Sequence, residues 1–163
     1  MRILGLFILF LSSHAFSNQL HEQLYLSKTQ NSLCLYTNNP NSELRDDNIA
    51  LINLGIPGSN ARSVSEVVVD NLKTSPRYKS DCLLFSLKDV KESGPYSLVL
   101  DMDKTYAANF CLVVDDKKNT SIHKLGSQLQ CQQSEYKNPF SISLEIKKIL
   151  YKIKSFFSSH FNE

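Results

Sequence analysis

The stretch "DCLLFSLKDVKESGPYSLVLDM" (Asp81–Met102) sets two apolar runs around a polar one, and the period of those runs decides the fold class. In Cys82–Leu87, Leu83, Phe85 and Leu87 fall on one face. In Tyr96–Met102, Tyr96, Leu98, Leu100 and Met102 share one face while Ser97, Val99 and Asp101 take the other. Successive side chains of a strand point to opposite faces, so period two predicts two strands, each with one buried face. The polar residues between them are too many for a tight hairpin, and Gly94-Pro95 marks the exit from that loop.

The same pattern recurs on both sides. "SLCLYT" (Ser32–Thr37) alternates and stops at "NNPNS". "IALINL" (Ile49–Leu54), the β-branched "VSEVVVDNL" (Val64–Leu72), "NFCLVVD" (Asn109–Asp115) and a weak "QLQCQQ" (Gln128–Gln133) complete the series. Seven or eight short strands separated by turn chemistry predict an all-β domain, an immunoglobulin-like antiparallel β-sandwich. The chain has no Trp, so the core signature of antibody domains is missing and the expectation concerns architecture only. "NLGIPGSNARS" (Asn53–Ser63) reads as the most exposed loop.

Residues outside this body behave differently. Arg2 followed by the apolar run Ile3–Leu11 and the small residues of "SSHAFS" has the order of a secretory signal peptide, so residues 1–17 are expected to be removed near Ser17. The body is then residues 18–134. In residues 135–163, Ile142, Ile146, Ile149, Leu150, Ile153, Phe156 and Phe157 recur at helical spacing among lysines. A basic amphipathic C-terminal helix is predicted, although Ile142, Leu144 and Ile146 also alternate as a strand would. Its stripe is expected to pack onto the body. The combination of Lys and Phe also suits peripheral contact with a membrane or a partner.

Four cysteines remain after the leader: Cys34, Cys82, Cys111 and Cys131. An even number on an exported chain points to two disulfides, and no close C-x-x-C pair points to a metal. Of three connectivities, Cys34–Cys82 and Cys111–Cys131 are favoured because each joins sequence neighbours.

Little points to chemistry. Without Arg2, 17 basic residues face 16 acidic ones and they are interspersed, so no basic stripe calls for nucleic acid. G-x-S-x-G, G-x-G-x-x-G, the P-loop and H-E-x-x-H are absent. His123 is the only histidine well inside the body. "DMD" (Asp101–Asp103) and Asp115-Asp116 fit solvated strand ends at least as well as a cation site. The expectation is no enzyme, no cofactor and no metal.

An ordered series of pieces adds a resemblance. "SLCLYTNN", "SPRYKSDCLLFSL", "GPYSLVLDM", "KTYAANFCLVV" and "SQLQC" follow one another from about Leu24 to Cys131. The order is similar to a family of small bacterial periplasmic lipoproteins assigned to immunity in type VI secretion. Its pattern runs from a Cys-aliphatic-Tyr-Thr strand to a Lys-x-Tyr-x-Ala-x-Phe strand, matched loosely here by Lys104, Tyr106, Ala107 or Ala108 and Phe110. The resemblance implies a periplasmic or secreted protein that neutralises a protein toxin by direct binding. An adaptor or subunit of an envelope or adhesive assembly is the alternative. A lipoprotein carries a cysteine directly after its leader. Here the first is Cys34, inside a predicted strand, so no lipid anchor is expected. Nothing in the sequence fixes the oligomeric state.

Overall fold

A computed structural model describes residues 21–58 and 62–160, and the expected leader lies outside them. The strands are β1 (Glu22–Gln23), β2 (Tyr25–Thr29), β3 (Ser32–Tyr36), β4 (Ala50–Ile56), β5 (Arg62–Val69), β6 (Leu83–Ser86), β7 (Gly94–Asp101), β8 (Thr105–Val114), β9 (Thr120–Leu125) and β10 (Cys131–Glu135). One helix, α1 (Ile142–His160), follows them. The larger sheet has the order β10-β9-β8-β7-β4-β5, and the smaller is β2-β3-β6. Pairing is antiparallel in both, except that the two-residue β1 runs parallel to β8. The fold is therefore mixed: two antiparallel sheets, two disulfides and a C-terminal helix.

Both strands of the opening stretch form with the predicted faces. Tyr96, Leu98, Leu100 and Met102 are buried, as are Phe85 and Leu87, while Leu84 on the opposite face is 67% exposed. These side chains meet Leu24, Leu26, Leu33 and Leu35 of the smaller sheet and Ile52, Leu54, Tyr106, Phe110 and Leu112 of the larger in one core. Fully burying each such side chain contributes roughly 1.5–3 kcal/mol, so this shared interior supplies most of the driving force. β2 and β9 were not anticipated: "YLSKT" and "TSIHKL" are short and polar, and only tertiary contact buries Leu26 and Ile122.

Two expectations are corrected. The stretch Asn53–Ser63 is mostly strand, because β4 continues to Ile56 and β5 begins at Arg62. The strands run together through a β-bulge at Leu54/Gly55, where a Cβ on Gly55 would stand 3.0 Å from the Arg62 carbonyl oxygen. Secondly, α1 is helical from Ile142 onward but its apolar stripe does not pack onto the body. Leu144, on the other side of the helix, is the buried residue, at 9% exposure. Lys148 lies on the same side as Leu144 and is close enough to the Tyr36 phenol to act on it electrostatically.

The body's contacts continue past Glu135. Tyr136 donates its N–H to the Ile122 carbonyl at 3.0 Å and meets Phe110 edge-on at 6.3 Å between centroids. Burial, followed by the neighbouring Tyr25 and Tyr36, pushes the Tyr136 phenol up to about 12 from the ordinary 10.0. A raised folded-state pKa means that the folded chain holds this proton more tightly than the unfolded one. The stabilisation is complete below pH 10.0 and is lost as pH climbs to about 12. Urea denaturation across that window is expected to show a loss of at least about 1–2 kcal/mol, discounted for partial exposure. The part belonging to Tyr136 is the difference from a Tyr136→Phe variant, since burial also raises Tyr36, Tyr96 and Tyr106. A flat stability profile there would contradict this.

Candidate interaction surface

The cysteines fall where the sequence placed them. Cys34 and Cys82 are bridged with Cα atoms 5.3 Å apart, and Cys111 and Cys131 with 5.5 Å. The first bridge ties the middle strand of the smaller sheet to the 3-10 turn Lys79–Asp81. That turn is held by Asp81, whose carboxylate accepts the Tyr78 N–H at 2.8 Å and the Arg77 N–H at 3.2 Å. The second bridge joins β8 to β10 across β9. Both are framework.

The remaining candidates are occupied by local structure. Asp101 accepts from Thr105 Oγ1 at 2.7 Å and faces Arg45 at 3.6 Å. Asp115 closes the turn before β9: its carboxylate accepts from the Asn119 side chain and from the backbone N–H groups of Asn119 and Lys117, at 2.7–2.9 Å. Those bonds, the Asn119 side chain's first, hold Asp115 below its ordinary value. Among the described residues no three His, Cys, Asp or Glu side chains cluster as a metal would require. His123 lies half-buried on β9, with Nε2 at 2.9 Å from Ser121 Oγ and Nδ1 at 3.1 Å from the Gln133 carbonyl. This pair stitches β9 to β10, and its third member is a backbone carbonyl rather than a carboxylate.

What the topology leaves open is a sheet margin. An edge strand carries a row of unpaired N–H and C=O groups that can template another strand. Three of the four margins are blunted. β10 reads "CQQSE", has a register irregularity and is stapled by Cys131. β6 is four residues long. On β2, Asn138 acts as a substitute strand: Oδ1 accepts the Leu26 N–H and Nδ2 donates to the Leu26 carbonyl, both at 2.8 Å.

β5 has no such cover among the described residues. Its eight residues extend about 26 Å at the usual strand rise. It contains neither Pro nor Lys; the bulge opposite Leu54/Gly55 interrupts it at Val64, Ser65–Val69 pair regularly, and the run of Val67, Val68 and Val69 puts valine on both faces. Val64 and Val67 are exposed, and Val68, on the outer face opposite Leu51, is 58% exposed. The outer face is polar beside them, where Asn53 donates to Ser63 and Glu66. A cleft of about 310 Å³ flanks the start of the strand, between Arg62 and Val64 on one side and Asp89, Lys91 and Glu92 on the other. Such an edge can accept an extended segment by main-chain hydrogen bonds, with valines and the cleft reading its side chains.

No family model, curated protein or solved structure matches this chain. The resemblance drawn from the sequence rests on its own residues, and the fold explains what those residues do. Tyr96, Tyr106, Ala108 and Phe110 are core side chains, and Cys34, Cys82, Cys111 and Cys131 are the staples. The ordered motif describes how the body is built. The margin at β5 lies outside it, and valine repeats in a sequence do not reveal which strand ends a sheet.

Proposed function

We propose that this protein is a non-enzymatic binding domain of the immunity type, exported to the periplasm, that neutralises a secreted protein toxin by docking against it. In this reading the two sheets are an immunoglobulin-like sandwich of unequal halves, and β5 is the side that meets the partner. The observation that carries the reading is the long, valine-bearing margin of β5 in a molecule whose other three margins are blunted. The two disulfides support an oxidising destination, as does the leader-like start of the sequence. The motif series from Leu24 to Cys131 supports the type VI immunity class. The second reading, a strand-accepting adaptor of an envelope assembly, is favoured by the same margin.

Co-expression separates the two. Cells making the neighbouring effector in their periplasm are expected to survive with this protein and to die without it. Val67→Lys with Val68→Lys puts two charges on the margin at exposed positions, costing less than about 1 kcal/mol of stability. That variant is expected to lose rescue and to weaken the complex at least about tenfold. Failure of the native chain to rescue, with no complex formed, would overturn immunity. Full rescue by the double-lysine variant would move the contact away from β5.

A further inference from the structure

We infer that α1 is an interfacial helix whose outward stripe lies on an anionic lipid surface. This inference is independent of the toxin-binding reading. At 3.6 residues per turn, Ile142, Ile146, Ile149, Leu150 and Ile153 fall within an arc of about 100°, and their exposures run from 47% to 68%. Phe156 and Phe157, stacked edge-on at 6.0 Å, continue the same arc. The helix meets the body through its opposite side, where Leu144 is buried and Lys148 comes near the Tyr36 phenol. The face of Ile142, Ile146, Ile149, Leu150 and Ile153 therefore points away from the described body. Its exposure follows from which side of the helix the body holds.

Charge identifies the occupant. On the helical wheel Lys152 and Lys154 stand on either side of the stripe, where long side chains can bury their stems and keep the ammonium groups at headgroup level. Between Ile142 and His160 there are four lysines against one glutamate, while residues 18–134 hold 12 basic against 13 acidic side chains. The positive charge is thus concentrated in the helix, with Lys152 and Lys154 next to the stripe. A second copy fits less well: Glu145 is the only acidic residue in α1 and is already paired with Lys148, so two such helices would oppose lysine to lysine. Nor does the helix span a bilayer, because no described helix is long and apolar enough to cross one. A basic helix with a wide apolar face and low overall hydrophobicity lies in the interface plane.

The test floats the full chain, purified with its disulfides intact, on vesicles of phosphatidylcholine with about 30% phosphatidylglycerol, and on phosphatidylcholine alone. Binding to the anionic vesicles is expected, at least about tenfold weaker on the neutral ones and similarly reduced by about 0.5 M salt. Ile149→Glu with Ile153→Glu is expected to cut anionic binding at least about tenfold, with unchanged thermal unfolding of the body. Equal binding by the variant and the native chain would overturn the assignment, as would equal binding to both vesicle types. A native dimer that the variant converts to monomer, with no vesicle binding by either, would give the stripe to a second copy instead.

Discussion

Replacing Cys34 and Cys82 together by alanine is expected to lower the free energy of unfolding by about 4 kcal/mol, the chain-entropy value for the separation of 48 residues. The bridge closes the loop holding β4 and β5, and its loss lets the unfolded chain explore far more conformations. The native side of the balance points the same way. Cys34 is buried in β3, the middle of a sheet with only three strands, and β6 has four residues with which to hold its place. The same treatment of Cys111 and Cys131, 20 residues apart, is expected to cost about 3 kcal/mol. Urea melts of the two double variants, without reductant, check the size and the order. A loss below about 1 kcal/mol for the first pair would mean that the smaller sheet holds without its staple.

Phe110→Ala is expected to cost about 3–5 kcal/mol, the range for a buried aromatic truncated to a methyl group. Phe110 has no exposed surface and sits between Tyr96, at 6.4 Å between ring centroids, and Tyr136, at 6.3 Å. Its removal opens a cavity beneath both sheets and takes away the surface on which Tyr136 rests. A second readout follows. The Tyr136 phenol, held at about 12 by burial, is expected to ionise nearer the ordinary 10.0 in the variant. A variant that loses stability while keeping the high tyrosine titration would show that Tyr136 is buried by something other than Phe110.

Seven of the ten strands were legible, most clearly where their burial is one-sided. Tyr96, Leu98, Leu100 and Met102 alternate in the sequence and are all inside in the fold. The disulfides followed from neighbouring positions along the chain. The helix was legible in period but not in orientation. A hydrophobic wheel says which residues lie together, and it does not say which side the body will hold, here the side of Leu144. The margins were hidden for a related reason. Val67 and Val68 look like core residues until β5 is known to end its sheet, and Asn138 looks like a linker residue until it meets Leu26, 112 positions away in sequence. Edges and covers are properties of how sheets end, and no local pattern encodes them.

The side-chain amide of Asn138 also bears on stoichiometry. A molecule open along both ends of its sheets can add copies of itself, or of any extended segment, without limit. With Leu26 already satisfied and β10 crosslinked, growth by strand addition has one place to start and nowhere to continue. Under the proposed reading, capture along β5 is therefore expected to give a one-to-one complex rather than a fibre.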